Sequence, residues 1–513
     1  MDADRERRFS LPLGSLSATA LPTRVVTLLA VVAVTLLVVH RRFGRVSMAV
    51  IFAALAFAVS GLDVEAWFAP PTNFGQQWQT DYGPNGNLTE ALQLAANLRE
   101  GHGYTLDDGS VDTYRMPGYA LLAAAAGAAS GASPRDFQNV GAATIWLQIL
   151  LTAAAIGGFV YVAASRFRRS VLIVVALVVL ALQANLQFTQ GDSIMFAAAL
   201  LVTTALLPFL DRARGDAARW RDVIPLHLAF GTYFLFRTDI ALAWAAVSLI
   251  VHGRRWRHLA LWLTVFVAIG AGFGAYAKAN GSEFTFGTNN TGHVAFVGLW
   301  ELPQDRFAWE PADASYDHWI SAHGYTYRGP GANAFAEKEI LRFYATYPGF
   351  VTTMAVNKAI RYFDTTSLDA YGRATPLRLQ HRLWLILVGG GLWLLASAVL
   401  LALVAGYRRY ETALLAWAAL FVLPIFFFVQ DENRFTLFES AALAIGGLPL
   451  LLDRGFYRAL LGRWRLVAPL AVVLLAVWID RDWIANSLLD WDGFRYWTPL
   501  LDPRNSTLAV FKH

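Results

Sequence analysis

Residues 79–119 read QTDYGPNGNLTEALQLAANLREGHGYTLDDGSVDTYRMPGY. The stretch is polar and rich in acidic residues, and it contains no apolar run long enough to cross a bilayer. Charged side chains and irregular backbone cannot be satisfied within the hydrocarbon, so the stretch must lie outside it. We therefore predict that the surrounding hydrophobic helices hold this stretch, and one of its carboxylates, at a membrane surface.

The rest of the chain has the composition of an integral membrane protein. Of its 513 residues, 56% are hydrophobic and 15% are charged, whereas a soluble protein has about 25% charged residues. The net charge of +5 is small and is explained by basic cytoplasmic loops rather than by a nucleic-acid partner. The chain has no cysteine, which excludes disulfides, thiolate metal sites and a thiol nucleophile.

Long apolar runs predict about twelve transmembrane helices, with eleven and thirteen as the alternatives. The predicted spans are residues 25–40, 48–62, 142–164, 171–186, 194–210, 223–236, 240–251, 259–277, 383–404, 412–429, 437–452 and 467–478. Residues 119–131 are also apolar, but they would extend only about 20 Å as a helix and are too short to cross. The predicted fold is therefore an all-α, multi-pass membrane bundle.

Basic clusters orient this bundle, because Lys and Arg are enriched in cytoplasmic loops. Placing the clusters in the cytoplasm puts residues 187–193, 236–239, 278–382 and 430–434 on the outer face, together with the acidic stretch. The orientation of the N-terminus stays open. Within the long outer loop, residues 334–363 show helical spacing of apolar residues, interrupted at Pro348, whereas residues 303–331 look like coil.

Ionisable residues gather on this outer face, each next to a predicted span. They are Asp81, Glu90, Arg115, Asp192, Arg237, Asp239, Glu301, Glu432 and Arg434. Charges at the ends of hydrophobic helices are costly unless they are paired or functional. Each one alone is explained equally well as a solvated loop charge, but their common location predicts a shared site.

Several segments resemble, in order, those of the GT-C glycosyltransferases that use polyprenyl-phosphate sugars. This group includes aminoarabinose transferases, protein O-mannosyltransferases and family 39-like or RgtA/B/C/D-like relatives. The matching segments are LAANLREGHGY (94–104), TYRMPGYALL (113–122), TQGDSIMFAAALL (189–201), GTYFLFRTDIAL (231–242), NNTGHVAFVGLWELP (289–303), KEILRFYATYPGFV (338–351) and DENRFTLFESAALAIGG (431–447).

The resemblance implies a GT-C-type bundle whose first outer loop supplies a catalytic acid, which we assign to Asp81. Asp81 lies farther before the AANL segment than the acid does in those relatives, so Glu90 stays an alternative. Asp192 corresponds to the second acidic position, and Arg237 to the basic residue of the family. Further candidate substrate-binding residues fall in the matched segments: Arg115, Tyr114, His102, His293, Glu301, Glu432 and Arg434. The proline of the late motif is absent here.

The resemblance also assigns a role to each region of the chain. Residues 1–64 are N-terminal transmembrane helices, 65–141 the first outer loop with juxtamembrane helices and the catalytic acid, and 142–278 the transmembrane core. Residues 279–382 form the large outer loop with amphipathic helices, 383–480 the C-terminal transmembrane helices, and 481–513 an outer-face tail. The expected location is the bacterial inner membrane, with the site on the periplasmic side.

The chemistry implied is inverting transfer of a sugar from polyprenyl phosphate to a hydroxyl of a glycan, lipid or protein. A partly desolvated carboxylate can act as general base, and arginine makes charge-assisted contacts to phosphate. No cofactor is certain, and a divalent cation stays an open alternative. The rival functions are a multi-span transporter, an O-antigen polymerase or ligase-like enzyme that takes pyrophosphate-linked donors, and a non-catalytic scaffold.

Overall fold

A computed structural model describes residues 44–68, 87–107, 109–183, 192–210, 219–253, 255–307, 312–327, 329–363, 379–407, 433–481, 483–484 and 487. These residues are helical apart from turns and one isolated β-bridge between Thr105 and Val111. The first nine helices are α1 (Arg45–Phe68), α2 (Asn87–Glu100), α3 (Gly118–Ala129), α4 (Phe137–Ala163), α5 (Arg169–Gln183), α6 (Asp192–Leu210), α7 (Trp220–Phe234), α8 (Ile240–His252) and α9 (Trp256–Ala279). The others are α10 (Thr291–Phe307), α11 (Ala312–Ala322), α12 (Ala332–Thr346), α13 (Pro348–Phe363), α14 (Leu379–Val404), α15 (Asn433–Leu451), α16 (Arg454–Gly462) and α17 (Trp464–Ile479).

The largest apolar core lies between α1, α4, α5, α6, α7, α8 and α15. Aromatic and aliphatic side chains such as Phe52, Ile156, Phe196 and Phe230 are completely buried there. Side chains from the acidic stretch join the same core, among them Leu94 on α2 and Tyr104 in the following loop. The described part of the acidic stretch is therefore packed onto the bundle.

Helix length and composition support association with a membrane. Among the described residues, α4 and α9 are long and apolar enough to cross a bilayer, and α16 with α17 forms a third candidate bent by 106°. Shorter apolar helices include α3, α5 and α8. Bulky residues such as Leu150, Leu249 and Leu263 are exposed on these helices, as expected of side chains that face lipid. The predicted spans 25–40 and 412–429 lie outside the described residues.

Residues 291–363, part of the loop that was predicted to lie on the outer face, fold as a helical lobe of α10, α11, α12 and α13. The helix break predicted at Pro348 is confirmed, because α12 ends at Thr346 and α13 begins at Pro348. The prediction of coil over residues 303–331 is wrong in part, because α10 extends to Phe307 and α11 covers Ala312–Ala322. Tyr316, Trp319 and Ile320 on α11 pack into the core of the lobe, which explains why this polar segment is helical.

Buried histidines join α7, α8 and α9. Trp244 donates its indole N–H to Nδ1 of His227 over 3.1 Å, and Nε2 of His227 lies 3.0 Å from Nε2 of His252. Since Nδ1 of His227 accepts the hydrogen bond from Trp244, the neutral ring carries its own hydrogen on Nε2. That N–H donates to Nε2 of His252. The ring of His258 stands edge-on to His252, with the ring centroids 5.1 Å apart. Trp244 therefore determines that His227 is the donor in the hydrogen bond between the two histidines.

We expect Trp244→Phe to destabilise the bundle, because it removes the donor to a buried ring nitrogen. Loss of that partner costs about 1–3 kcal/mol, in addition to the loss of packing. Thermal unfolding in detergent measures the effect. Trp262→Phe is the control, since the indole nitrogen of Trp262 has no hydrogen-bond partner among the described residues. An equal loss of stability in both variants would contradict the assigned hydrogen bond.

Candidate functional site

The loop between α2 and α3 is held to the bundle by side chains on both sides. Asn97 on α2 donates its amide to the carbonyl oxygen of Thr105 over 2.7 Å. The backbone N–H of Tyr104 donates to the hydroxyl of Tyr276 on α9 over 2.8 Å. Gly103 has a φ of +82°, and a Cβ there would lie 2.5 Å from the same hydroxyl oxygen. The left-handed backbone at this position favours glycine, and a side chain there would also displace the Tyr276 hydroxyl.

Asp112 shapes the end of this loop. It is only 4% exposed, and its carboxylate accepts the backbone N–H of Tyr114 over 2.8 Å, as in an Asx turn. Tyr104 is also buried, and its hydroxyl donates to the carbonyl oxygen of Arg115 over 3.2 Å. Burial, together with the nearby Asp112 carboxylate, raises the pKa of Tyr104 well above its ordinary value. Tyr104 therefore stays a donor and fixes the backbone at Arg115.

Glu90 and Arg115 form an ion pair across the loop. Their nearest charged atoms, Oε2 and Nη2, lie 3.5 Å apart, and the side chains are 17% and 28% exposed. Glu90 stands in the first turn of α2, where the positive end of the helix dipole favours a carboxylate. The guanidinium of Arg115 also lies 5.9 Å from the centroid of the Tyr114 ring. Three of the predicted site residues are thus adjacent.

The corner between α7 and α8 contacts the start of α3 through backbone atoms. Gly118 donates its N–H to the carbonyl oxygen of Leu235 over 2.9 Å. A Cβ on Gly118 would lie 2.5 Å from that oxygen. Only a residue without a side chain permits this approach, so the PG step at residues 117–118 determines where the loop attaches to the bundle.

We expect Gly118→Ala to lower the stability of the bundle by about 1–3 kcal/mol, because the new methyl group overlaps the Leu235 carbonyl. Gly158→Ala on α4 is the matched control, because a Cβ there meets nothing within 4 Å. That change replaces glycine in a helix interior and should raise stability by about 0.5–1 kcal/mol. Thermal unfolding of both variants tests the difference, and an unchanged Gly118→Ala protein would contradict the close contact.

The same corner and the loop both contact the segment before α10. The backbone N–H of Asn289 donates to the carbonyl oxygen of Thr113 over 2.7 Å. The hydroxyls of Thr238 and Thr288 lie 2.9 Å apart. Nδ1 of His293 on α10 is hydrogen-bonded to the hydroxyl of Tyr114. Three segments distant in sequence therefore meet at one place.

The ring of His293 lies within a group of aromatic side chains of the helical lobe. Its centroid is 4.4 Å from that of Tyr316 and 5.6 Å from that of Tyr327. Tyr114 and Tyr327 are half-buried, whereas His293 and Tyr316 are buried. Through Tyr114 and His293, this arrangement attaches the helical lobe to the acidic stretch.

Arg237 and Asp239 form a two-point ion pair at the α7–α8 corner. Nε of Arg237 donates to Oδ1 of Asp239 over 3.1 Å, and Nη2 donates to Oδ2. The side chains are 11% and 20% exposed. A pair in this geometry holds the guanidinium plane in one orientation. Asp239 is therefore a positioning residue for Arg237.

Position 192 begins α6 beside a buried polar network. The hydroxyl of Ser193 donates to the amide oxygen of Gln148 over 2.8 Å, and the Gln148 amide nitrogen donates to the hydroxyl of Tyr119 over 3.1 Å. Thr152 donates to the carbonyl oxygen of Ser193 over 3.0 Å. The network connects the start of α6 to α4 and to α3. The start of α6 is therefore linked to α3 through Gln148 on α4.

Other predicted site residues fall where side chains or backbone are not described. Asp81 and Glu432 lie outside the described residues, as do the side chains of Asp192, Glu301 and Arg434. Glu301 belongs to α10, and Arg434 to the first turn of α15. α15 packs against α5 and α6. The assignments of these five residues stay predictions.

His102 lies apart from the Glu90–Arg115 pair, in a polar cluster on the far side of the loop. Its side chain is 65% exposed, with Nδ1 3.6 Å from Oε2 of Glu100. Arg135 binds Glu100 over 2.8 Å and Asp107 over 2.7 Å. The hydrogen bonds from Arg135 hold the pKa of the Glu100 carboxyl below its ordinary value. The cluster ties α2 to the segment before α4.

No protein-family model matches the chain, and neither a curated protein nor a solved structure matches it. In the described part of the chain, no group of three or more His, Asp or Glu residues is arranged to hold a metal ion. Two residues that the sequence pattern did not single out, Asp112 and Tyr276, orient the loop that carries Arg115. Asp112 is recognisable by its position two residues before Tyr114, whereas Tyr276 has no local signal.

Proposed function

We propose that the chain is a membrane glycosyltransferase that moves a sugar from polyprenyl phosphate to an acceptor hydroxyl. The proposal includes a GT-C-type bundle of about 12 transmembrane helices in a bacterial inner membrane, with the site on the periplasmic side. The observation that carries it is the junction of residues 90–118, 234–239 and 285–293. All three segments overlap stretches that resemble those of the GT-C family.

The residue types at this junction suit the reaction. A sugar on polyprenyl phosphate already has a good leaving group, so the protein must remove a proton from the acceptor and stabilise the departing phosphate. A carboxylate can take that proton, and arginines can bind the phosphate oxygens. Glu90, Arg115 and Arg237 are all more than two-thirds buried, and partial desolvation strengthens their interactions with a bound phosphate.

In the proposed mechanism, the acceptor oxygen attacks the anomeric carbon of the sugar as a carboxylate takes its proton. The bond between that carbon and the phosphate oxygen breaks, and polyprenyl phosphate leaves with the bonding electrons. Asp81 is the proposed base and Glu90 the alternative. Arg115, Arg237 and Arg434 bind the phosphate, and Asp192 orients the acceptor or a cation. One displacement of this kind inverts the anomeric configuration.

Mass spectrometry of lipid-linked sugars and surface glycans tests the proposal. We expect cells that lack the protein to accumulate a polyprenyl-phosphate sugar and to lose that sugar from a surface glycan, lipid or protein. Restoring the gene should reverse both changes. Unchanged lipid-linked and surface pools would refute glycosyl transfer. Solute uptake by vesicles that contain the purified protein would instead support a transporter.

A further inference from the structure

The last two described helices make a sharp bend. α16 and α17 meet at Arg463 at an angle of 106°. α17 is apolar along its length, with Trp464 at its start and Trp478 near its end. Trp464 stands at the bend, and tryptophan is enriched at membrane–water interfaces. With α17 entering the bilayer from that interface, the bend places α16 nearly parallel to the membrane surface.

Contacts with the bundle fix which face of α16 is turned outward. Phe456 is 2% exposed and packs in a small core with Val399, Ala402 and Leu450. Asp453 caps the helix by accepting the N–H of Gly455 over 2.8 Å, and it also accepts the hydroxyl of Tyr407 over 2.7 Å. The opposite face of α16 is therefore held away from the protein.

That outward face is apolar along one edge and basic along the other. Arg454 and Arg458 are exposed and lie one turn apart, while Tyr457 and Leu461 beside them are 48% and 72% exposed. Like charges at this spacing repel one another in water. Within the described residues, no carboxylate lies within ion-pair distance of either arginine.

Basic residues continue around the bend. Trp464 is 60% exposed, and the guanidinium of Arg465 lies 5.8 Å from the centroid of its ring. A membrane interface matches this pattern at every point, because acyl chains cover Leu461 and Trp464 while phosphates neutralise the arginines. A soluble partner would leave unexplained why the bend adjoins an apolar helix of membrane character.

We propose that α16 lies in the headgroup layer and binds anionic phospholipid through Arg454 and Arg458, with Leu461 and Trp464 inserted among the upper acyl chains. Each guanidinium can make two hydrogen bonds to one phosphate. Preference for anionic over zwitterionic lipid follows from the uncompensated positive charge of this face. The inference is independent of glycosyl transfer.

Lipid binding by the purified full-length protein tests this surface. The protein in detergent is titrated with phosphatidylglycerol or phosphatidylcholine, and bound lipids are counted by native mass spectrometry. The wild type should retain phosphatidylglycerol in preference to phosphatidylcholine. R454Q/R458Q should weaken phosphatidylglycerol binding about tenfold or more and leave phosphatidylcholine binding unchanged. R454K/R458K keeps both charges and should retain most of the preference.

The matched control is K338Q/R342Q, which removes two exposed charges one turn apart from α12. It should bind both lipids like the wild type, and circular dichroism should show equal helix content in all variants. Unchanged phosphatidylglycerol binding by R454Q/R458Q would overturn the proposal, as would an equal loss in the control. Displacement of the lipid by millimolar inorganic phosphate would also overturn it, because the site would then bind free anions.

Discussion

Asp81→Asn is expected to reduce glycosyl transfer by about 100- to 10,000-fold, because it removes the proposed general base. Asn keeps the size of the side chain but cannot take the proton of the acceptor hydroxyl. Glu90→Gln should have a smaller effect if Asp81 is the base, since Glu90 then only positions Arg115. The reverse order of effects would assign the base to Glu90. The measurement is the rate at which purified variants release polyprenyl phosphate from the donor that mass spectrometry identifies.

The pH dependence of the rate separates a base from a positioning residue. A catalytic carboxylate must be ionised, so the wild-type rate should fall as the pH drops through its pKa. The variant that lacks the base should no longer show this fall in rate at low pH. The variant that lacks the positioning residue should still show it. Glu283→Gln removes an exposed carboxylate close to the same junction and should change neither the rate nor its pH profile. Full transfer by both Asp81→Asn and Glu90→Gln would refute the assignment.

Arg237→Lys is expected to reduce transfer roughly 100-fold, because it removes a preorganised contact to the leaving phosphate. Lysine keeps the positive charge but lacks the planar guanidinium group, so it cannot make two parallel hydrogen bonds to phosphate or to the carboxylate of Asp239. The loss should affect kcat more than the KM for the acceptor, since the charge on the leaving oxygen grows as the bond breaks. Steady-state kinetics at varied acceptor concentration measures the separate effects on kcat and on the KM for the acceptor.

Asp239→Asn tests whether Arg237 acts directly. It leaves the guanidinium in place but weakens two charge-assisted hydrogen bonds, so we expect a loss of stability of about 1–3 kcal/mol. Its transfer rate should fall less than that of Arg237→Lys, because the cation is kept. If Asp239→Asn and Arg237→Lys lower the rate equally, and in proportion to their loss of stability, the ion pair is structural and Arg237 binds no phosphate.

Much of the helical architecture was predictable from apolar runs, because a bilayer demands long uninterrupted ones. The predicted spans 142–164, 240–251 and 259–277 correspond closely to α4, α8 and α9. α11 was not predicted because its sequence is polar overall, and its apolar contacts with the lobe come from Tyr316, Trp319 and Ile320. Such a helix depends on tertiary packing rather than on its own composition.

The junction was harder to predict than the helices. A single sequence identified Glu90, Arg115, Tyr114, His293 and Arg237 as candidates, and the structure links the segments that carry them. The sequence did not predict that Glu90 pairs with Arg115, because a pairing between residues 25 positions apart leaves no local pattern. Tyr276 was missed for the same reason, since its hydroxyl meets the loop only after α9 packs beside it. The position of Asp81 stays a prediction.

The junction around residue 113 is held in part by peptide groups, through the bonds from Gly118 to Leu235 and from Asn289 to Thr113. Main-chain atoms are common to all amino acids, so evolutionary drift in the side chains at 113, 235 and 289 leaves these two bonds intact. A lineage can therefore remodel the side chains around the junction without rebuilding the scaffold. For protein engineers, these three positions are suitable places to vary side chains, whereas Gly118 is not.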